Sequence, residues 1–207
     1  MKILIACEES QTVCKAFREI GHQAFSCDII EQSGGYPEWH IQQDVTPLLN
    51  GNCSFCTNDG MRHEIIGRWD MIIAHPPCTY MSNAGAVHMF RGGKLNEERF
   101  EKGMRAKKFF LQCLNADCEK ICVENPRPLK IIGLPIQSQI IQPYEYGHPY
   151  SKATYLWLKG IKPLVPTKIV KSIGSYVQYF AHNAKTRSKT FGGIAKAMAE
   201  QWGNKEE

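Results

Sequence analysis

Trp69-Asp70-Met71-Ile72-Ile73-Ala74-His75-Pro76-Pro77-Cys78-Thr79-Tyr80-Met81 is the stretch that decides the fold. Its first half is a short apolar run that reads as a strand buried on both faces. Two prolines cannot continue a central strand, because each lacks a ladder donor and fixes φ. The chain therefore leaves the sheet at Pro76. Cys78 then falls on the loop just past the strand's carboxyl end, where open α/β sheets gather ligands and catalytic groups. A thiol held there is a candidate nucleophile. A half-buried loop cysteine beside a rigid turn is the ordinary alternative.

Outward from this strand the pattern repeats. Residues 2–7 read as a strand, and Val13, Ala16, Phe17 and Ile20 follow the i, i+3, i+4, i+7 spacing of a one-faced helix. Ser10 or Thr12 is placed to cap that helix, and Gly21 suits the left-handed position after its end. His22–Ile30 reads as a second strand, so the run has the size of a βαβ unit with a right-handed crossover. Residues 31–66 read as loops with one short strand near Trp39–Val45. Downstream of Cys78, Asn96-Glu97-Glu98 opens a long helix that ends near Asn115, with Phe100, Met104, Leu111 and Leu114 as its buried face and Phe110 alongside. Lys120–Val123 is another buried strand, which Glu124-Asn125-Pro126 is expected to stop. Tyr155–Leu158 reads as a later strand and Gly193–Trp202 as a closing helix. The expected architecture is α/β: one doubly wound, mostly parallel sheet in a single domain over 1–207.

Bulk properties narrow the function classes. No segment is long or apolar enough to span a bilayer, and the amino terminus runs straight into a strand without signal-peptide architecture. Nine irregularly spaced cysteines fit reduced thiols rather than a disulfide framework, so a cytoplasmic protein is expected. The formal charge of +5 is compatible with a polyanionic partner, and Lys185, Arg187 and Lys189 form one basic stretch. Cys53-Ser54-Phe55-Cys56 has zinc-knuckle spacing, but with His63 as a third ligand it stays one short, so no metal is expected.

Cys78 and Glu124 each follow an apolar strand, so both should lie on the carboxyl edge of one sheet. A thiolate and a carboxylic acid meeting at a cleft suit attack on an electron-poor pyrimidine: the sulfur adds at C6, the acid assists at N3, and C5 becomes a carbon nucleophile. Pro77-Cys78 and Glu124-Asn125-Pro126, in that order and spacing, resemble the Pro-Cys and Glu-Asn-Val motifs of the cytosine-C5 DNA methyltransferases. The chain is most similar to the short phage-encoded members of that superfamily. That likeness extends through Ala74–Tyr80, Val123–Pro126, Ser151-Lys152-Ala153-Thr154-Tyr155-Leu156-Trp157 and Arg187-Ser188-Lys189-Thr190-Phe191.

The resemblance implies a Rossmann-like fold that binds S-adenosylmethionine, with Cys78 and Glu124 as catalytic pair. Cofactor contacts would come from Cys7, Glu8 and Ser10 in the first loop, Asp28 for the ribose, Asp44 for the adenine amine, Pro76, and Thr190 and Gly193 in the closing motif. The first loop lacks the family's glycines, and Glu8 and Glu9 bring charge near the methionine moiety, where a carboxylate is a candidate acceptor for the cofactor's amine. Lys152 and Thr154 occupy positions where larger members carry two arginines, one of which contacts the cytosine carbonyl.

The interval between the strand near Trp157 and the closing motif, roughly 159–186, is too short for a target-recognition domain. DNA with short or no sequence preference is therefore the expected partner, with a further subunit as another source of recognition. Lys159, Lys162, Lys168 and Lys171, with Lys185, Arg187 and Lys189, are candidate phosphate contacts, and residues 85–95, with Arg91 and Lys94, a candidate flap over a flipped base. A free pyrimidine nucleotide as substrate and a non-catalytic nucleic-acid-binding protein are the alternatives. His75 reads as a structural histidine that orients the loop, with a proton shuttle as the alternative, and no histidine has an evident orienting partner in the sequence.

Overall fold

The computed structural model describes residues 1–176, 186 and 188–204. Strand β1 (Lys2–Ala6), helix α1 (Thr12–Glu19) and strand β2 (Gln23–Asp28) form the expected βαβ unit, and Gly21 takes the left-handed turn after the helix at φ 87°. Strand β3 (His40–Gln42) adds in parallel, and β4 (Cys53–Cys56) pairs with β5 (Arg62–Ile65) as a separate hairpin. Strand β6 (Met71–Ala74) carries the nucleophile loop. It is followed by a short helix α2 (Ala86–Met89), a two-residue hairpin of β7 (Phe90–Arg91) and β8 (Lys94–Leu95), and the long helix α3 (Glu97–Leu114). Strands β9 (Ile121–Pro126), β10 (Gln139–Ile141) and β11 (Thr154–Lys159) and helix α4 (Gly192–Gly203) complete the described elements.

Among the described residues the main sheet has the order β10-β11-β9-β6-β1-β2-β3. All pairs from β9 to β3 are parallel, and β11 is antiparallel to both of its neighbours. The parallel strands thus grow outward from β1 in one direction and from β6 in the other, a doubly wound, Rossmann-like α/β arrangement. The switch point lies between β1 and β6, where such sheets bind ligands at the strands' carboxyl ends.

Alternation along the strands sorts the core into two layers. Ile3, Ile5, Met71 and Ile73 face α1 and α4 through Val13, Phe17, Ile194, Met198 and Trp202. Leu4, Ala6, Ile72 and Ala74 face α3 and the β4–β5 hairpin through Phe110, Cys113, Phe55, Ile65 and Trp69. Helices α1 and α4 also pack on each other.

The departures from the sequence reading are local. The stretch 31–66 contains the β4–β5 hairpin, and its parallel strand covers only His40–Gln42. Cys53 and Cys56, three residues apart on β4, point to opposite faces of that strand, which does not make a ligand pair. Helix α3 starts where expected, with the Asn96 side chain accepting from the Arg99 amide at 3.1 Å, but Met104 is exposed and Gly103, Phe110 and Cys113 form its buried seam. Glu124-Asn125-Pro126 does not stop β9: the antiparallel neighbour β11 pairs with it through Pro126, whose missing amide costs little at the strand's last position.

Candidate active site at the carboxyl edge

Strand register assembles the site. Ala6 of β1 pairs with Ala74 of β6, and Ala74 pairs with Val123 of β9, so Cys7 and His75, just past the ends of their strands, stand in one row with Glu124, which is still within β9. The His75 amide donates to the Ala6 carbonyl at 2.9 Å, which holds the exit of β6 against β1. Pro76 is buried, and its carbonyl accepts from Asn125 Nδ2 at 3.3 Å. The Cys78 carbonyl then accepts from the amides of Met81 and Ser82 at 3.0 and 2.9 Å, closing a turn, while Arg99 Nη2 donates to the Thr79 carbonyl at 2.8 Å. Cys78 is half-buried on this turn. Burial pushes its thiol up, the neighbouring Glu124 carboxylate pushes it further, and its own amide, Lys152 and a Ser82 hydrogen bond only partly oppose them. The resting sulfur is therefore a neutral thiol.

His75 Nδ1 lies 3.0 Å from Glu124 Oε2, with the two side chains only 12% and 14% exposed. His75 thus has a carboxylate partner, contrary to the sequence reading. Burial raises Glu124, but the His75 hydrogen bond and charge, helped by Lys152, outweigh it and hold the carboxyl below its usual range. Lys152, Thr154 and Thr190 join Glu124 around one small cavity walled by Phe191 and Ile194, which brings three separate parts of the sequence together. The Lys152 ammonium stands 5.7 Å from the Phe191 ring centre and 6.0 Å from that of Tyr176. The Thr154 hydroxyl donates to the Lys152 carbonyl at 3.2 Å.

The remaining cofactor picks divide into two groups. Cys7 takes the first tight turn in the left-handed region, at φ 59°, a position usually given to glycine. Burial raises its thiol well above the ordinary range, followed by Cys113, Asp28, Cys27 and Asp44, which places Asp28 and Asp44 in one electrostatic neighbourhood. Glu9, the second carboxylate of the first loop, has a buried Oε2 with no hydrogen-bond partner among the described residues. This acidic edge suits a ligand that brings a positive charge with amine and hydroxyl donors. Asp28 Oδ1 accepts from the Ile30 amide at 3.2 Å, and Asp44 Oδ1 from the Thr46 amide and hydroxyl at 2.9 and 2.8 Å, each leaving its second oxygen for such a ligand.

Glu8, Ser10 and Gly193 have other tasks. Glu8 is buried, and its carboxylate accepts from the amides of Val13 at 2.7 Å and Cys14 at 3.1 Å. It caps α1 in place of Ser10 or Thr12, because Gln11 at the N-cap takes a left-handed turn, at φ 58°, that aims the loop's first carboxylate back at the helix. Ser10 Oγ sits 3.1 Å from Thr12 Oγ1 and 3.5 Å from Glu8 Oε1. The Gly193 amide donates to His148 Nε2 at 2.9 Å, so it is not offered to a cofactor. Glu8→Ala strips two amides of their acceptor inside the protein and is expected to lower stability by about 2 kcal/mol, read as a drop in the urea midpoint at unchanged slope.

Two expected phosphate contacts change status. Lys159 ends β11 at the opposite edge of the sheet, beside Ile121, and its ammonium donates to the Ala116 carbonyl at 3.1 Å. Lys185 and Arg187 lie outside the described residues, whereas Lys189 Nζ donates to Ser33 Oγ at 3.0 Å. Beside the nucleophile loop, the sequence reading missed a cavity of about 200 Å³ lined by Tyr80, His88, Arg91, Arg99 and Lys102. Its signal was present, since Arg99 and Lys102 share one face of α3 at i, i+3.

No family model matches the chain, and no curated protein matches it. Among solved structures it is similar to one provisionally described as a DNA modification methyltransferase encoded within an E. coli prophage, at 14% identity and a TM-score of 0.45. That likeness covers 83% of this chain and 52% of the other, so the chain spans about half the length of the structure it matches.

Proposed function

We propose that the protein methylates C5 of cytosine in DNA, using S-adenosylmethionine as methyl donor. The observation that carries this reading is that Cys78, on the loop after β6, and Glu124, on the adjacent strand β9, share the carboxyl edge of the sheet, with the Glu124 charge helping to raise the thiol. The acidic edge fits the donor: Asp28, Asp44 and the unpartnered Glu9 oxygen would hold its hydroxyl and amine groups, and the donor, when bound, supplies a methyl group activated by a positively charged sulfur. The chain's own residues prepare the base. Cys78 Sγ bonds to C6 as its proton leaves, and ring N3 gains a proton next to Glu124, which makes C5 nucleophilic. After the methyl group arrives, the C5 proton departs, the Sγ–C6 bond breaks and N3 returns its proton. Lys152 keeps a positive charge beside this pair, and Thr154 and Thr190 line the same cavity.

A base inside a duplex cannot reach a loop thiol, so the target nucleotide must be flipped out. Arg91, Arg99 and Lys102 beside the nucleophile loop supply backbone phosphate contacts that carry no sequence information. Weak sequence preference follows from this arrangement.

The test is nucleoside mass spectrometry of DNA incubated with purified protein and isotopically labelled S-adenosylmethionine. Label is expected in 5-methylcytosine. Label in N4-methylcytosine would overturn the ring chemistry, and label only in free cytidine nucleotides would replace DNA as the substrate.

A further inference from the structure

His75 is the ionisable group of this edge to which the chemistry above gives no task. It stands between charges from three elements: Glu8 on the loop after β1, Glu124 on β9, and Lys152 just before β11. Its Nδ1 faces Glu124 Oε2, and its Nε2 is buried with no hydrogen-bond partner among the described residues. Burial alone would drive the imidazole toward neutrality. The hydrogen bond and charge of Glu124, then the charge of Glu8, overturn that and hold His75 above its ordinary 6.5, with Lys152 opposing. Glu124 is held on the other side, as a carboxylate. Between the lowered Glu124 value and the raised His75 value the two residues therefore share one proton, resting on the imidazole, and an ionised Glu124 has none of its own to give to N3.

We propose that His75 and Glu124 form a single one-proton unit, in which His75 is the positioning residue and proton store through which Glu124 acts as an acid toward the pyrimidine. The proposal rests on the cytosine reading for its substrate, while the shared proton itself belongs to the free protein. As the Sγ–C6 bond forms, the thiol proton passes to solvent. Glu124 Oε2 first takes the proton of His75 Nδ1, and the carboxylic acid so formed turns about its Cγ–Cδ bond and gives that same proton to N3. When the Sγ–C6 bond breaks, N3 returns its proton through Glu124 to His75, the C5 proton has gone to solvent, and the sulfur regains one from water. One proton is released per methyl group transferred. The unit is competent while it keeps its proton, so activity should fall as pH rises through the elevated His75 value.

Two measurements test this. Histidine NMR titration of the free protein, with His75 assigned from His75→Asn, should show that imidazole titrating above 6.5, and Glu124→Gln should lower it. An imidazole already neutral at 6.5, or unmoved by Glu124→Gln, overturns the proposal whether or not DNA is methylated. The second is the pH profile of single-turnover methyl transfer. Asparagine retains an N–H donor near Nδ1 but stores no proton, so His75→Asn should lose roughly 10²-fold in rate just below the His75 value that the titration gives. The loss should be less as pH falls and Glu124 carries a proton of its own, and less above that value, where the wild type has lost its proton too. An equal loss at every pH would mean a structural role and overturn the relay. Protein that passes the titration but methylates no cytosine keeps the shared proton and defeats the cytosine reading instead.

Discussion

Cys78→Ala protein is expected to fold normally, to lose methyl transfer by roughly 10⁴-fold or more, and to form no covalent adduct with DNA containing 5-fluorocytosine. The sulfur does not hold the loop in place: the turn is closed by the Cys78 carbonyl, which accepts from Met81 and Ser82 and is present in alanine as well. The sulfur alone can bond to C6. With fluorine at C5 there is no proton to lose after methylation, so the Sγ–C6 bond persists and wild-type protein should be trapped, visible as a shifted band after denaturation. An active Cys78→Ala variant would remove the nucleophile assignment. Turnover by wild-type protein without any trapped adduct would point to methylation of the exocyclic nitrogen, which needs no thiol.

The largest effect on stability is expected from Gly193→Ala. In an unconstrained helix this change stabilises by up to about 1 kcal/mol, because glycine has the most backbone freedom to lose. Here an added Cβ would lie 2.0 Å from the Tyr146 carbonyl oxygen and 3.0 Å from His148 Nε2, and neither a backbone carbonyl nor a helix start seated against α1 can retreat cheaply. The sign therefore reverses, to a loss of about 3 kcal/mol, or roughly 6–12 °C in Tm for a chain of this size. Gly192→Ala is the internal control: nothing lies within 4 Å of its added Cβ, so it should be neutral or slightly stabilising. Equal behaviour of the two variants would mean that the packing of α4 on the Tyr146–His148 segment is not what holds this end of the site.

Much of the fold was legible because it is written in local chemistry. The apolar run of β6 followed by Pro76-Pro77 could only be a strand that stops, and Asn96 before two acids marked the start of α3 within one residue. The β4–β5 hairpin was not legible. Its strands are four residues each and alternate imperfectly, and only the pairing of Phe55 with His63, against Phe25 and Trp69, makes them a unit. Glu8 was misread for a similar reason: a carboxylate after a strand suits a ligand or a helix end equally, until the left-handed turn at Gln11 decides which it faces.

By itself the sequence determined that a thiol stands past the end of a buried strand and a carboxylic acid near the end of another, since proline geometry and side-chain period are properties of neighbouring residues. Only the tertiary structure decided what stands beside them. Register between β1, β6 and β9 puts Cys7, His75 and Glu124 in adjacent rows, carries Glu124 past the point where its strand was expected to stop, and supplies His75 with its partner. Pairing joins Ala74 and Val123, 49 positions apart, through backbone hydrogen bonds that form whatever side chains the two residues carry. The physics that sets the register is therefore spread over both faces of the whole sheet rather than recorded at either residue.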